Sequence, residues 1–261
     1  QKKIIHLFII ISLLAFGVFY VKGNLNQYIR DYIISYVSQI TKTNVELESV
    51  DINIKDGMGT FNNFVISNPT MYKSSYSLKL QDAQVNISPS SVFEDTVMIN
   101  EIILNNTAIN YEKNNASSNF SQIQKNIEQV NKQGSEKNLK GKVSGAQEKQ
   151  EKQEKKFIVK KIDIKNIMVS ARIAEIKDEI QFKLPDIQIL NIGSPTKPLT
   201  QSELAQFILL NVEKNVSKGK ELLRLEKKLT REIKRIEKQM KSLEEIGVDK
   251  DELLKDLKKL F

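Results

Sequence analysis

The hydrophobic pattern changes period several times along the chain. It opens with a continuous run: Ile4 to Val21 is apolar except for His6, Ser12 and Gly17, and Lys2, Lys3 and Lys22 flank it. At 1.5 Å per residue, about 18 residues of helix reach roughly 27 Å, the thickness of a bilayer core. The pattern predicts a membrane anchor over residues 1–23. The alternative is a cleaved signal peptide, which needs a small-residue cleavage site. The run ends Phe19-Tyr20-Val21-Lys22-Gly23-Asn24, a poor site, so an uncleaved anchor is the preferred reading. Tyr20 suits the membrane interface. Charges at both ends leave the orientation weakly specified.

The next segment has helical period. Tyr28, Ile29, Tyr32, Ile33, Tyr36, Val37 and Ile40 recur at steps of three and four, which predicts a helix over 27–40 with one apolar stripe. Asn24 or Asn26 would cap it. Such a helix either packs on a sheet or rests on a membrane beside the anchor, and packing is the preferred reading.

From Val45 the period becomes two, with a recurring slip. Leu47, Val50, Ile52 and Ile54 are spaced three, two, two, and so are Leu80, Ala83, Val85 and Ile87. Ile99, Ile102, Leu104, Asn106 and Ile109 match Val159, Ile162, Ile164, Asn166 and Val169 position for position, sixty residues apart. This is an internal repeat of a β unit. A three-residue step would turn the strand over unless a bulge absorbs the extra residue, so the pattern predicts bulged strands in a curved antiparallel sheet with one apolar face. Turns are expected at Lys55-Asp56-Gly57, Asn68-Pro69, Ser88-Pro89 and Asn105-Asn106. The fold class expected is therefore α+β: an N-terminal transmembrane helix, the curved sheet partly covered by helices, and a long C-terminal amphipathic, coiled-coil-like helix.

Residues 114–156 interrupt the sheet. They are rich in Asn, Gln, Ser, Lys and Glu and include the low-complexity run Gln147–Lys156. Such a stretch buries too little apolar surface to offset ordering, so it reads as a charged insert, mostly disordered or a loose helix, with a short helix over Phe120–Val130. Strands resume over 157–199, where Pro185 marks an edge or a bulge. In the last segment, 200–261, Thr200 and Glu203 form a capping box. Leu204, Phe207, Ile208, Asn211 and Val212 would face the sheet. Leu222, Leu225, Leu229, Ile233, Ile236, Met240 and Leu243 continue a stripe that predicts one helix running to Leu243. It either folds back on the sheet or mediates oligomerisation. Asp249 would cap a last short helix ending at Leu260.

Composition narrows the chemistry. The 261 residues contain no Cys, and the single His lies in the apolar run. Thiolate metal sites, disulfides, a Cys nucleophile and His-based triads have no residues to build on. No glycine-rich phosphate loop or recognisable carboxylate pair is present. The chain therefore reads as a non-enzyme with no catalytic residues, no metal site and no cofactor. The net charge of +8 comes from interleaved Lys and Glu rather than a single-sign stripe. No nucleic-acid partner is expected, and a membrane-surface tether through the Lys-rich insert is a minor alternative.

The order of these features resembles the AsmA family of bacterial envelope proteins, in its small AsmA-like form. The residues that carry the resemblance are Val45–Ile54 (VELESVDINI), Gly59–Pro69 (GTFNNFVISNP), Tyr76–Ile87, Ile99–Glu112, Lys160–Ala171 and Leu184–Gly193, after the anchor and the short helix. The resemblance covers roughly Ile4 to Val216. It groups residues 24–113 as an AsmA-like helix and sheet continued by 157–199, whereas the charged insert and the tail depart from the pattern. It implies a single-pass inner-membrane protein with its bulk in the periplasm. It further implies a part in outer-membrane biogenesis and a groove-shaped sheet holding phospholipid acyl chains. The expected groove lining is Leu47, Val50, Ile52, Leu80, Val85, Ile87, Ile102, Leu104, Ile162 and Ile164. The competing reading makes these an ordinary core under helices, in a scaffold protein that self-associates or binds a protein partner through its C-terminal helix.

Overall fold

The structure is a computed structural model, and it describes residues 24–114, 117–141, 155–173 and 179–244. The expected anchor and the expected last helix lie outside these residues. Helix α1 occupies 24–41. It is followed by β1 (Val45–Asn53), β2 (Met58–Ser67), β3 (Tyr76–Ile87) and the 18-residue β4 (Thr96–Lys113). Helix α2 (Asn119–Gly141) precedes β5 (Lys156–Ile164), β6 (Ile167–Ile173), β7 (Glu179–Leu184) and β8 (Ile187–Ile192). Helices α3 (Gln201–Ser217) and α4 (Lys220–Glu244) follow.

All eight strands join one sheet. The class is α+β, but the sheet is mixed rather than antiparallel throughout. β1 to β4 are antiparallel neighbours, while β4 pairs in parallel with both β5 and β6. A parallel neighbour requires the chain to return along the sheet before re-entering it. The segment between Lys113 and Lys156, expected as an insert, contains that return, and α2 is its described part. Phe120, Ile123 and Ile127 of α2 are fully buried, so the polar composition of the segment concealed a core element.

The repeat has a direct structural meaning. Ile99, Ile102 and Leu104 lie beside Val159, Ile162 and Ile164, and Ile109 beside Val169. The two copies of the unit are adjacent parallel strands in register. Asn105-Asn106 is not a turn, because β4 runs straight through it. Asn106 and Asn166 instead take left-handed backbone conformations, φ 50° and 49°, which asparagine tolerates better than other side-chain-bearing residues. Asn63 in β2 does the same at φ 49°.

These residues belong to one line of kinks crossing the sheet. Leu47 faces Phe64 and Ser49 faces Asn62, omitting Glu48 and Asn63. The same omission recurs at Asn63 and Gln81, and at Gln81 and Asn106. It continues across β4 to the β5–β6 and β7–β8 junctions, at Asn166 and at Pro185-Asp186. The sequence spacing predicts bulges, in which one strand gains a residue over its partner. Here every strand carries the irregularity at the same level, so pairing resumes in an unchanged register on both sides. Side chains stitch the line. Asn63 donates to Glu48, Asn105 to Asp82 (2.7 Å) and Asn166 Nδ2 to Asn106 (2.5 Å), while the Asn166 amide donates to Asp186 (3.0 Å). Genuine one-sided shifts occur elsewhere, at Ile66/Ser67 and Asn86/Ile87.

Cross-strand partners share a face, so the pairing defines apolar rows across the sheet. One row runs Val45, Ile66, Leu78, Ile109, Val169, Phe182. Another runs Val50, Phe61, Ala83, Leu104, Ile164, Ile187, and a third runs Ile52, Gly59, Val85, Ile102, Ile162, Ile189. Helices α2, α3 and α4 cover most of this face through Phe120, Ile123, Ile127, Leu209, Val212, Val216, Leu222 and Leu225. On α3 the buried apolar positions are Leu209, Val212 and Val216; Leu204, Phe207 and Ile208 are only partly covered, and the Asn211 side chain donates to Phe207 O. The Thr200–Glu203 capping box forms as expected. The single long C-terminal helix does not. It breaks at Lys218-Gly219, where a Cβ on Gly219 would lie 2.9 Å from the Phe182 ring, and the break redirects α4 onto β7.

The end of the sheet where β4 finishes is fastened by polar contacts. The Glu112 carboxylate accepts from the amides of Lys73 (2.9 Å) and Ser74 (2.6 Å) and from Asn68 (3.0 Å), tying the β2–β3 connection to β4. Glu213 on α3 accepts from Ser118, from Ser121 (2.9 Å) and from Gln124 (2.8 Å), tying α3 to α2. Tyr111 packs beside Phe120, and burial, helped by Glu213, pushes its phenol up to about 12.

Two outcomes follow for stability. Asn166→Val places a β-branched residue at positive φ and removes the bond to Asn106; a loss of about 2–3 kcal/mol is expected in denaturant unfolding, with Asn166→Gly losing clearly less. Equal losses for the two variants would mean that backbone handedness is irrelevant there. Burial pushes the Glu112 carboxyl up, but the donors at Ser74 and Lys73 outweigh it and hold its pKa below the usual carboxylate range. A depressed carboxylate stabilises the fold above its unfolded-state pKa and loses that contribution as pH falls through the folded value. Glu112→Gln should therefore cost about 2 kcal/mol at neutral pH, and the gap to the parent should narrow as unfolding is measured at pH values descending through the acidic range. A gap independent of pH would assign the loss to packing.

Candidate functional site: an apolar cleft beside helix α1

Helix α1 lies along the free edge of β1 and supplies the edge with partners. Arg30 Nε donates to Leu47 O (2.6 Å), the Ile52 amide donates to Asn26 Oδ1 (3.0 Å), and Asn26 Nδ2 reaches Asp51 (3.3 Å). An uncovered edge strand invites pairing with another chain, and these contacts occupy it. Burial of α1 falls from one end to the other. Ile40 is 1 % exposed, Tyr36 and Val37 are half-buried, and Tyr32 and Tyr28 are 54 % and 53 % exposed. The stripe expected to pack on the sheet is fully buried only at Ile40, with Ile29, Ile33, Tyr36 and Val37 half-buried and Tyr28 and Tyr32 turned to solvent. Tyr32 stacks on Tyr36 and donates to Gln201 (2.7 Å).

Between the start of α1 and the sheet, a cleft of about 380 Å³ opens. Its floor is the end of the apolar rows at the β1–β2 turn: Ile52 of β1, Met58, Gly59 and Phe61 of β2, and Val85 and Ile87 of β3. Leu25 and Ile29 of α1 form one wall. Pro89, Val92 and Phe93, in the 3-10 turn Pro89–Phe93 between β3 and β4, form the other. Asn53, Ile54 and Gly57 complete the rim, so Asn53 is the one polar side chain in the lining.

Two glycines shape the cavity. Gly57 has φ +65°, and a Cβ there would sit 2.2 Å from Ile87 O, so the β1–β2 turn can approach β3 only without a side chain. Gly59 has no such backbone constraint. Its missing side chain leaves a gap in the row between Ile52 and Val85, where a Cβ would first meet the end of Ile52 at 3.0 Å. The cleft owes part of its volume to that gap.

The ten residues expected to line a groove share the apolar face but have different surroundings. Ile52, Val85 and Ile87 line the cleft. Leu47, Val50, Leu80, Ile102, Ile162 and Ile164 are buried, between 0 and 8 % exposed, and Leu104 is half-buried against the core. The apolar face is therefore covered along most of its length and open at one end. Sequence reasoning missed Leu25, Ile29, Gly59, Phe61, Val92 and Phe93. The available signal was the Gly57-x-Gly59 pair beside a strand, and the apolar Val92-Phe93 just after a Ser-Pro turn.

The lining contains no acid, base or nucleophile. Its chemistry is to remove apolar surface from water, at about 25 cal/mol per Å². Taking about 30 Å³ for a small group, the space holds on the order of a dozen methylenes. Among the described residues no helix is long and apolar enough to cross a membrane. No family model matches the chain, and no curated protein or solved structure is significantly similar to it.

Proposed function

We propose that this is a membrane-anchored, AsmA-like protein of the bacterial envelope that holds one phospholipid acyl chain in the cleft beside α1, without catalysing a reaction. The observation that carries the reading is the position of the cleft relative to the apolar run. Leu25, in the cleft wall, follows Val21 by four residues, a reach of no more than about 14 Å. If Ile4–Val21 spans the inner membrane, the cleft opens close to the bilayer surface on the periplasmic side. An acyl chain entering it would exchange one apolar environment for another, and the neutral lining asks nothing of the headgroup. Covered rows beyond the cleft confine the lipid to the open end, which suits a holding or loading role in outer-membrane biogenesis better than a continuous conduit.

Photoactivatable phospholipid with a diazirine in its acyl chain, used with the full chain in vesicles, tests this. Adducts are expected at Ile52, Val85 or Ile87, and Gly59→Leu, which fills the cleft, should reduce them at least tenfold while leaving thermal unfolding nearly unchanged. Adducts confined to Ile4–Val21 in the parent protein would overturn the lipid-holding reading.

A second reading, as a scaffold, has its own observation. The apolar stripe of α4 is buried at Leu222 and Leu225, but Ile233 is 41 % exposed. A helix that leaves the body with its stripe uncovered fits self-association. Ile233→Lys should then lower the mass measured by sedimentation without changing unfolding; a mass equal to that of the parent would remove the support for this reading.

A further inference from the structure

The cleft rim carries exposed apolar side chains that the lipid-holding role does not require. Phe93 lines the cleft yet is 88 % exposed, and Val92 and Ile54 beside it are 41 % and 55 % exposed. The 3-10 turn that carries them is built to keep them outside. Pro89 starts the turn, the Ser91 hydroxyl donates to Ser88 O (2.7 Å) and accepts from the Met98 amide (2.9 Å), and the Glu94 amide closes on Ser91 O (3.0 Å). Ser91 is buried, so the turn is anchored by a serine while Val92 and Phe93 project. This reverses the usual arrangement, in which the polar side chain faces water and the apolar one the core.

We propose that the 89–93 turn, with Ile54 on the neighbouring β1–β2 turn, inserts into a lipid bilayer and seats the cleft mouth on its surface. The bilayer is favoured over a protein partner by continuity and by reach. The patch is contiguous with an apolar cleft, and the opposite wall of that cleft is α1, which follows the long apolar run after only a few residues. If Ile4–Val21 spans the membrane, Leu25 on the facing wall lies within about 14 Å of it, the patch shares the cleft mouth with Leu25, and an aromatic side chain there gains by entering the bilayer. The contact is separate from the anchor, coming from different residues and a different turn. It would fix the tilt of the sheet, where an anchor alone leaves the domain free to swing. The inference rests on the anchor part of the proposed function and is independent of whether the cleft holds lipid.

The absence of Cys makes the test direct. Phe93→Cys and Lys197→Cys each give a unique site for an environment-sensitive fluorophore; Lys197 is exposed in the β8–α3 connection at the same end of the sheet. The full-length proteins are placed in phosphatidylethanolamine–phosphatidylglycerol vesicles whose acyl chains are brominated. The expected result is at least twofold quenching at position 93 and little at position 197. The Gly59→Leu background should leave quenching at 93 unchanged, because filling the cleft does not remove the turn from the bilayer. A fluorophore at 93 as unquenched as that at 197 would overturn the proposal. Quenching at 93 in the parent that disappears with Gly59→Leu would also overturn it, since the fluorophore would then be reporting lipid inside the cleft. Absence of acyl-chain adducts from the cleft of the protein with Gly59 intact, with quenching at 93 retained, would sink the lipid-holding reading alone.

Discussion

Everything in the apolar face depends on the strands kinking together. A residue at positive φ in one strand would normally shift its register and send the following side chains to the wrong face. Here the irregularity is shared by neighbours, through Glu48, Asn63, Gln81, Asn106, Asn166 and the Pro185-Asp186 junction, and registers on both sides agree. The three-residue step in the hydrophobic pattern follows directly. Asparagine suits three of the positions because it tolerates the left-handed region and its amide can bond across to the next strand. A second, shorter irregularity near Asn100, Lys160 and Asn191 lies closer to the cleft, where Lys160 donates to Asn100 (2.8 Å).

The two ends of the molecule use opposite physics. At the far end, Glu112 and Glu213 collect hydrogen bonds from loop amides, serines and a glutamine, tying the β2–β3 connection to β4 and α3 to α2. At the near end the same apolar face runs out from under its helices, and glycine, leucine and isoleucine leave a space. Buried charge demands specific partners and so fixes geometry. Apolar walls make no such demand and accept any hydrocarbon that fits. The rigid end and the receptive end are products of that difference.

The outer face of the sheet is polar and locally paired. Lys161 bridges Glu101 (2.5 Å) and Asp163 (3.1 Å), and the bond from Gln188, with Lys161 beside it, holds the Asp163 carboxyl below its usual range despite burial. The Lys161–Glu101 pair, partly open to solvent, contributes little stability. The effect of these polar groups is to set which face meets water, and that leaves the helix-covered face as the only route for an apolar ligand in the proposed function.

The sequence by itself determined which side chains share the apolar face, because the alternation of residues along a strand is a local property and the slip was visible in four segments. It also determined the capping box at Thr200 and the recurrence of one β unit sixty residues apart, but not that the two copies pair side by side. It could not reveal that α2 is part of the core: Phe120, Ile123 and Ile127 are few among Asn, Gln, Ser and Lys, and a narrow stripe suffices only once a sheet is there to receive it. Nor could it show that β4 and β5 are parallel, because strand direction depends on where the connecting segment carries the chain. The open end was decided by tertiary structure alone. Ile52 and Ile162 are alike in the sequence and lie in the same row, but Ile162 is fully buried in the core with α2, α3 and α4, whereas Ile52 meets only the start of α1 across the cleft. Whether an apolar residue is core or binding surface depends on what packs over it, and no local pattern records that.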